Sequence, residues 1–496
     1  MQEDNRTELQ ESGLSELFQI RRDKLSALRK EGNDPFLVTV FDQTHWSEDI
    51  KNDFDELEGK TVRVAGRLMS KRGMGKVSFC DLSDRKGTIQ LYARADEMDP
   101  EEYDRFRKYD IADIVGVEGE VFRTQRGEIS VKCKSVKLLA KSLRPLPEKW
   151  HGLKDTDLRY RMRYLDLITN PDVRKTFVTR SKIIDTLRNV MRREGYLEVE
   201  TPVLHNHATN AAARPFRTHH NTLDIDMVLR VELELHLKRL IVGGFERVFE
   251  IGRIFRNEGM SPKHNPEFTM MEMYAAYTDY RGMMDLCEKL YTEVADAVLQ
   301  SRKLEYQGTE IDLSAPWRRM TMIDAVKEYS GVDFNEIQTD EEAKNAADKH
   351  GIHYESEHRR GDIINLFFEE YVEDNLIQPT FICDYPVEIS PLAKRTKYDQ
   401  RLTERFEVFI WGREMGNAFT ELNDPIDQKA RFIEQAKKKC IEGEFEIDDD
   451  FITAMEYGMP PTGGMGLGID RMVMLFTDSP SIRDVLLFPT MKPLDD

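Results

Sequence analysis

The sequence has few cysteines, and none of them lies in a spacing that suits a metal site. Among 496 residues, cysteine occurs at five scattered positions without a Cys-x-x-Cys pair: Cys80, Cys133, Cys287, Cys383 and Cys440. Structural zinc needs closely spaced Cys or His ligands. The pattern therefore argues against a zinc site and predicts reduced, buried thiols, which are typical of a cytoplasmic protein.

Long apolar runs are also missing. The chain has no stretch of about twenty apolar residues, the length that a transmembrane helix needs, and its first ten residues, MQEDNRTELQ, are too polar for a secretory signal. Hydrophobic residues make up 40% and charged residues 33% of the chain, which indicates a folded rather than a disordered protein. We expect a cytoplasmic protein of two or three domains with no membrane partner.

Positive charge is in short supply. Lys and Arg number 72 against 91 Asp and Glu, so the formal net charge is -19. A nucleic-acid partner remains compatible with that total, because phosphates need only a local basic surface. Two segments, 18–32 and 59–76, are locally basic. For the first of them, contact with RNA and an ordinary solvated helix face are equally good interpretations.

The hydrophobic pattern divides the chain into four segments. The pattern in residues 1–55 predicts a helical extension. Residues 56–145 contain about five short β-favouring runs separated by turn signals. Five strands in so short a segment favour an oligonucleotide-binding (OB) barrel. A proline-containing linker follows at 146–160, and 161–496 predict an α+β domain. No DNA partner is expected.

Three residues of the predicted barrel suit unpaired bases. Phe79 offers an aromatic face, Gln90 an amide and Arg67 a guanidinium, the groups that stack on and hydrogen-bond to single-stranded bases. The alternative, with Phe79 in the core and Gln90 on the surface, explains these residues equally well when they are taken singly.

The second domain raises a question at residues 253–274, RIFRNEGMSPKHNPEFTMMEMY. Two β-favouring runs flank a polar loop, and the second run contains Glu272 among apolar residues. Burying an unpaired carboxylate costs several kcal/mol or more. Because side chains alternate along a strand, Glu272 shares one face with Phe268 and Tyr274. A core face would be uniformly apolar, so this face predicts a ligand pocket.

A second run, 407–425, repeats the pattern. Asn417, Phe419 and Glu421 alternate onto one face. Glu407 and Glu414 flank a tight connection in the same region. Such a pair suits Mg²⁺, which takes few protein oxygens and leaves other positions to water and phosphates, although most pairs of glutamates are surface residues.

A glycine-rich strand at 460–468 leads into a helix that carries Arg471. Glycines allow another molecule to approach the backbone, and a guanidinium can bind phosphate or lie on a purine face. The spacing matches neither a P-loop nor a Rossmann motif. The alternative is a bend packed under the helix. Arginines, acidic residues and an aromatic together suit phosphoryl chemistry by positioning and charge neutralisation.

Taken together, these segments resemble the class II aminoacyl-tRNA synthetases, in particular the lysyl-tRNA synthetases. The resemblance runs over nearly the whole chain and rests on these stretches: FRNEGMSPKHNPEFTMMEMY, GGMGLGIDRMVMLF, ARPFRTHHNTLDIDMVLR, HLKRLIVGGFERVFEIGRIFRNEG, PLAKRTKYDQRLTERFE and DSPSIRDVLLFPTMKP. It implies a catalytic domain built on six or more antiparallel strands with helices, an N-terminal anticodon-binding OB barrel, and a homodimer formed through the region that ends at Pro202.

The resemblance also implies the reaction. Lysine and ATP would form lysyl-adenylate and pyrophosphate, and the lysyl group would pass to tRNA(Lys). Arg256 and Arg471 would be catalytic, with Mg²⁺ as the cofactor. The ATP-binding residues would be Arg256, Glu258, His264, Phe268, Glu407 and Arg471, and Mg²⁺ would bind Glu407 and Glu414.

The same resemblance implies how lysine and the anticodon are recognised. Glu234 would hold the α-amine, Asn417 the carboxylate, and Glu272 with Tyr274 and Glu421 the side-chain ammonium, which would explain the carboxylate in the strand. The full lysine-binding set would be Asn210, Glu234, Arg256, Glu272, Tyr274, Asn417, Phe419, Glu421 and Gly466. The anticodon-binding set would be Arg67, Phe79, Gln90 and Glu128.

The chain departs from the family pattern at Thr209 and Asn210, where a Gly-Gly pair is usual. Asn tolerates unusual backbone angles but adds a side chain, which could crowd the α-amine. Three alternatives remain at this point: a related ligase that attaches lysine to a protein and typically lacks the barrel, a synthetase for aspartate or asparagine, and an RNA-binding relative with impaired catalysis. The carboxylates at Glu272 and Glu421 argue against an acidic substrate.

Overall fold

The computed structural model describes residues 2–147, 153, 155–206, 213–439 and 448–494. The chain forms two compact units, Met1–Lys154 and Asp155–Asp496. Asn210 and Cys440 lie outside the described residues. The other four cysteines are buried and free, and no helix of the described part is long and apolar enough to cross a membrane.

The first unit is a β-barrel with helices. Its helices and strands are α1 Gln2–Lys30, α2 Ser47–Asn52, α3 Phe54–Leu57, β1 Thr61–Met74, β2 Val77–Ser83, β3 Thr88–Arg94, α4 Pro100–Lys108, β4 Ile114–Arg123 and β5 Ile129–Ala140, with a 3₁₀ turn at Pro35–Leu37. The five strands close in the order β1-β2-β3-β5-β4. Along β2, Ser78, Cys80 and Leu82 point inward. The predicted five-stranded barrel is confirmed.

Two of the basic residues in the first unit are engaged by its own backbone. Arg21 is 8% exposed and donates hydrogen bonds to three carbonyl oxygens of this unit. Lys71 donates to three carbonyl oxygens at the end of α4. Arg21 is therefore neither exposed for contact with RNA nor part of a solvated helix face.

The second unit is larger and mixes helices with strands. From Thr156 to His350 it contains α5 Thr156–Arg161, α6 Arg163–Thr169, α7 Pro171–Arg193, β6 Leu197–Glu198, β7 Leu204–His205, β8 Arg217–His220, β9 Ile225–Leu229, α8 Glu234–Val242, β10 Arg247–Phe255, β11 Glu267–Ala276, α9 Tyr280–Leu299, β12 Lys303–Tyr306, β13 Thr309–Asp312, β14 Arg318–Thr321, α10 Met322–Ser330 and α11 Asp340–His350. It continues with α12 Arg360–Tyr371, β15 Thr380–Cys383, β16 Arg405–Phe409, β17 Glu414–Thr420, α13 Pro425–Lys439, α14 Asp449–Glu456, β18 Thr462–Gly468, α15 Ile469–Phe476 and α16 Ile482–Val485, with 3₁₀ turns at Glu373–Asn375 and Val387–Ile389.

An eight-stranded sheet forms the centre of this unit, in the order β14-β15-β16-β17-β18-β11-β10-β6. Its six inner strands are antiparallel, as expected, and β14 and β6 add parallel pairs at the two edges. The predicted β10/β11 pair is confirmed. Three small strands, β7, β9 and β8, make a separate sheet.

One face of the large sheet packs on helices. Along β11, Met271, Met273 and Ala275 join the main core, which includes apolar residues of α7, α9 and α15. The alternate side chains of β11 therefore point to the opposite face. That face carries the residues that the sequence singles out.

Candidate active site

The strand register brings the predicted residues into two rows across the sheet. In the first row, Glu407 pairs with Asn417, Asn417 with Gly466, and Gly466 with Glu272. In the second, Arg405 pairs with Phe419, Phe419 with Gly464, and Gly464 with Tyr274. Since the rows are two residues apart, they lie on the same face. Four strands from three separate parts of the sequence thus form one floor.

Glu272 is a buried carboxylate with two hydrogen-bond donors from the protein. It is 5% exposed; its Oε1 accepts from the Leu233 N–H at 3.2 Å, and its Oε2 from the Tyr274 hydroxyl at 3.2 Å. Burial, with repulsion from Glu234, raises the pKa of Glu272 to about 7, although both donors favour the charged form. The Leu233 N–H and the Tyr274 hydroxyl thus compensate part of the charge of Glu272, which the sequence pattern did not indicate.

Glu421 is fully buried directly after β17, and its partner is Lys238 of α8. The ammonium of Lys238 also contacts Glu234, so two of the predicted lysine-binding carboxylates meet one internal cation. Burial raises the pKa of Glu421 well above its usual range, while Lys238 opposes that shift. Lys238 was missed, and the helix α8, which places it one turn after Glu234, was not predicted either.

A fourth carboxylate, Glu232, was also missed. Its Oε1 is buried and has no hydrogen-bonding partner among the described residues. Burial raises its pKa to about 8, with further contributions from Glu234 and Glu272. Glu232 stands beside the N-terminus of α8, and only the tertiary fold brings it to this cluster. The part of the site around Glu272, Glu421, Glu234 and Glu232 is therefore strongly acidic.

Glycines make room for this cluster. A Cβ atom on Gly464 would overlap Glu421 Oε1 and the Tyr274 ring. A Cβ on Gly466 would lie 3.2 Å from Met270 Cε and 3.6 Å from Glu272 Cγ. The glycine-rich strand β18 thus lets the acidic and aromatic side chains of β11 and β17 lie over its backbone.

The other end of the floor opens into a cavity of about 570 Å³. Of the predicted residues, its lining includes Arg256, Glu258, His264, Phe268, Glu407, Glu414, Asn417, Gly466 and Arg471. Glu258 and His264 are exposed at its edge. The Arg256 guanidinium lies 5.4 Å from the centre of the Phe268 ring, and its Nε donates to the Val231 carbonyl at 3.4 Å. Cationic and aromatic groups therefore meet in one chamber.

Glu407 and Glu414 lie close enough to repel one another. Burial, together with repulsion from the neighbouring Glu414, raises the pKa of Glu407 to about 7. The described residues hold no cluster of three His, Cys, Asp or Glu that could bind a metal by themselves. Mg²⁺ typically uses one or two carboxylates and completes its shell with water and phosphates. The donor set therefore fits Mg²⁺ beside a phosphorylated ligand.

Both carboxylates already have protein partners. Glu407 accepts from Arg405 Nη2 at 2.5 Å and from the Tyr385 hydroxyl at 3.0 Å. Glu414 Oε2 accepts from Arg471 Nη1 at 3.3 Å, and Arg471 also bonds to the Glu414 backbone carbonyl. Arg471 thus lies against Glu414.

Arg405 joins the acidic pair to the amide at the centre of the floor. Besides Glu407, it binds Asn417, with Nε donating to Oδ1 at 3.1 Å. Its Nη1 donates to the Ile389 carbonyl at 2.7 Å. Arg405 was missed, yet its place two residues before Glu407 on one strand puts both on the same face. Since Asn417 Oδ1 accepts from Arg405, its amide NH₂ remains as a donor.

In the first unit, the barrel surface carries a row of aromatic rings. Phe79 lies 5.2 Å from Tyr92, and Tyr92 lies 5.5 Å from Phe122, measured between ring centres. Gln90 is on the same strand as Tyr92, and its Oε1 accepts from Ser130 at 3.1 Å.

The two other barrel candidates are Arg67 and Glu128. Arg67 Nη1 donates to the Ala112 carbonyl at 2.8 Å, and the register places Arg67 opposite Ser83, four residues from Phe79 along β2. Glu128 is exposed in the connection between β4 and β5. The structure thus groups Phe79 and Gln90 with Tyr92.

Two family models match the chain. Residues 155–492 match "tRNA synthetases class II (D, K and N)", and residues 62–139 match "OB-fold nucleic acid binding domain". Each match falls within one of the two compact units. The predicted fold class and the resemblance are both confirmed.

Curated proteins match over almost the full length. A protein of Thermoanaerobacter pseudethanolicus is 58% identical over 485 residues, which cover 97% of each chain. One of Clostridium tetani is 57% identical over 491 residues, 98% of this chain and 97% of its own. One of Moorella thermoacetica is 57% identical over 484 residues, 97% and 99% of the two chains. All three carry the name lysine–tRNA ligase.

Proposed function

The chain belongs to the class II tRNA synthetases of the D, K and N group, with an OB-fold domain, and we propose that it attaches lysine to tRNA(Lys) through lysyl-adenylate. The observation that carries lysine as the substrate is the buried acidic cluster of Glu272, Glu421 and Glu234 on the sheet floor. Within this cluster Lys238 is one cation shared by Glu234 and Glu421. A cationic amine from the substrate supplies the further positive charge that Glu272 needs, whereas an uncharged or acidic side chain would not. The names of the relatives agree with this choice.

The geometry supports assigned roles at the phosphate end. A carboxylate oxygen of lysine attacks the α-phosphorus of ATP, which forms the mixed anhydride and releases pyrophosphate. Arg256 neutralises charge on the α-phosphate and the lysine carboxylate, and Arg471 leaves Glu414 to lie on the adenine opposite Phe268. Glu258 and His264 hold the nucleotide at the cavity edge. Glu407 and Glu414 would hold Mg²⁺, which supplies charge neutralisation for the phosphates.

In this proposal, the lysine substrate lies along the sheet floor. Glu234 takes the α-amine, and the free NH₂ of Asn417 donates to the carboxylate. Glu272, Tyr274 and Glu421 surround the side-chain ammonium, Phe419 packs beside it, and Gly466 keeps the floor open. Asn210 is retained as a member of this set on the sequence pattern alone.

The second step transfers the lysyl group to the terminal adenosine of tRNA, whose hydroxyl attacks the carbonyl and releases AMP. The barrel binds the anticodon through Arg67, Phe79, Gln90 and Glu128, since aromatic rings and amides suit unpaired bases. We retain the predicted segments for this purpose: extension 1–55, anticodon-binding domain 56–145, linker 146–160 and catalytic domain 161–496. Four buried free thiols agree with a cytoplasmic location.

A homodimer is part of the proposal. Val178 on α7 is 68% exposed, and Leu197 and Leu204, in the segment around Pro202, are 47% and 44% exposed. These exposed apolar residues lie in the segment predicted for subunit contact. A second copy of the chain could cover them in a homodimer.

The test is exchange of labelled pyrophosphate into ATP without tRNA. We expect exchange that depends on lysine and Mg²⁺, followed by charging of tRNA(Lys) when tRNA is added. Exchange driven by another amino acid would overturn the lysine assignment, and lysine-dependent exchange without tRNA charging would favour a protein-modifying ligase. Absence of any exchange would favour the RNA-binding relative.

A further inference from the structure

The ammonium of Lys238 occupies a cage made of residues proposed to bind the substrate. Its side chain is completely buried and forms ion pairs with Glu234 Oε1 and Glu421 Oε2. The aromatic rings of Phe419 and Tyr274 lie 5.3 Å and 5.9 Å from Nζ. The protein thus holds one of its own lysines among the groups that recognise lysine.

This cation stays charged. Burial lowers the pKa of Lys238, but Glu234 and Glu421 together outweigh burial and raise that pKa above its usual range. A lysine ammonium is a compact point charge with three donors, so it can serve two carboxylates at once. Lys238 therefore links α8, which carries Glu234, to the end of β17, which carries Glu421.

The closest contacts of this link are to one oxygen of each carboxylate. Lys238 contacts Oε1 of Glu234 and Oε2 of Glu421. Oε1 of Glu421 is buried and has no hydrogen-bonding partner among the described residues. It lies against Gly464, where no side chain blocks it. A fully buried carboxylate oxygen without a donor points to a ligand that brings one.

We propose that Lys238 is a positioning residue that sets substrate length, because its ammonium fixes the separation between the carboxylates that receive the two amino groups of a diamino acid. This inference rests on the proposed function, in which Glu234 takes the α-amine and Glu421 the side-chain ammonium. A diamino acid one methylene shorter, ornithine, cannot reach both carboxylates while they are clamped. Homolysine, one methylene longer, does not fit between them.

The test compares lysine with ornithine in pyrophosphate exchange. In Lys238→Met, the side chain keeps its bulk but loses the charge, so Glu234 and Glu421 separate or take up a proton. We expect kcat/KM for lysine to fall at least 100-fold, mainly through KM, and the lysine-to-ornithine ratio of kcat/KM to fall at least 10-fold. The KM for ATP should stay within about twofold.

Lys238→Arg keeps the charge and replaces the point ammonium with a longer fork. The two carboxylates are then held at a different separation, so the lysine-to-ornithine ratio should again fall at least 10-fold while the protein remains folded. This second variant decides the question if the methionine variant does not fold.

Chemical rescue separates this role from a purely structural one. Lys238→Ala removes three carbons and the ammonium, which n-propylammonium replaces atom for atom. Added n-propylammonium should raise the lysine-dependent exchange of this variant at least 10-fold, whereas n-propanol, of equal length but neutral, should not raise it.

Lys141 offers a matched control. It is also a buried lysine, 5% exposed, that pairs with two carboxylates, Asp110 and Asp113, but it belongs to the first unit. Lys141→Met should leave the lysine-to-ornithine ratio unchanged. If wild type shows no lysine-dependent exchange, the proposed function fails. If wild type exchanges but Lys238→Arg or a folded Lys238→Met keeps the wild-type ratio, only the clamp is refuted.

Discussion

At the scale of single residues, the site depends on carboxylates that are buried in the protein, such as Glu272 and Glu421. Glu272 has two internal donors and still a pKa raised to about 7, with burial as the main cause. Burial therefore outweighs the stabilisation from the Leu233 N–H and the Tyr274 hydroxyl. Binding of a substrate ammonium would supply the remaining stabilisation, so substrate binding and ionisation of Glu272 are linked.

Glu272→Gln tests that link. Glutamine keeps the shape but cannot carry the charge, so we expect kcat/KM for lysine to fall about 10- to 100-fold, since a hydrogen bond to a charged group is worth roughly 1.5–3 kcal/mol. The KM for ATP should change by no more than about twofold. Pyrophosphate exchange at varied lysine and ATP measures both values.

Glu250→Gln is the matched control for that change. Glu250 is also buried and lies opposite Glu272 on β10. It forms an ion pair with Arg230 and accepts a hydrogen bond from the Thr201 hydroxyl. Its substitution should lower stability without altering the KM for lysine. Lysine kinetics that are unchanged in Glu272→Gln would exclude a role for Glu272 in recognition.

At the scale of elements, alternation along strands made much of the site predictable. The period of two placed Glu272 and Tyr274 on one face of β11, and Asn417 and Phe419 on one face of β17. The same period would have added Arg405 beside Glu407. Local patterns thus identified which side chains leave the core.

The order of strands was beyond such patterns. That β18 lies between β17 and β11 follows from tertiary pairing, and this order is what brings Asn417 close to Glu272 across Gly466. Glu232 reaches the cluster only because α8 packs against β11. Helices α10–α12 form a separate core with residues between Met322 and Phe409, and the sequence pattern did not indicate it.

The β16–β17 hairpin leads to a prediction about Arg405. Its guanidinium binds Glu407 and Asn417 at once, through Nη2 and Nε. Lysine has no fork, so Arg405→Lys loses at least one of these contacts. We expect the KM for lysine and the Mg²⁺ concentration for half-maximal exchange both to rise about 10-fold, a loss of about 1.4 kcal/mol for each.

Arg163→Lys serves as the comparison for Arg405→Lys. Arg163 is buried and binds Asp166 and three backbone carbonyls away from the cavity. This variant should lose thermal stability while the lysine and Mg²⁺ requirements stay unchanged. If Arg405→Lys altered stability alone, Arg405 would be only a structural residue.

At the scale of the whole molecule, the acidic cluster makes stability depend on pH. The pKa of Glu272 rises from an ordinary 4.5 to about 7 on folding, so between these values the folded protein holds a proton that the unfolded chain has released. Stability should therefore fall as pH rises from about 5 to 8, by about 3 kcal/mol for this one group. Thermal melting of the ligand-free protein across this range measures the fall.

Two comparisons make the pH prediction specific. Saturating lysine should reduce the fall in melting temperature above pH 7, because it binds the ionised form. Glu272→Gln should flatten the curve, whereas Glu370→Gln, at an exposed residue of α12, should leave it unchanged. A melting temperature that rises from pH 5 to 8 would contradict the direction that the raised pKa of Glu272 requires.

The two compact units separate two functions that can be measured independently. In the proposed function, activation of lysine needs only the sheet floor of the second unit, whereas charging of tRNA also needs RNA to bind the barrel. Gln90→Ala removes an amide beside the ring of Tyr92, on the surface where Phe79 also lies. We expect kcat/KM for tRNA(Lys) to fall about 10-fold, because a lost base contact costs about 1–3 kcal/mol, and pyrophosphate exchange to remain at the wild-type rate.

Gln43→Ala, which removes another amide of the first unit that donates to the His45 carbonyl, should affect neither reaction. Equal losses in charging and exchange after Gln90→Ala would mean that the barrel stabilises the enzyme rather than recognising the anticodon.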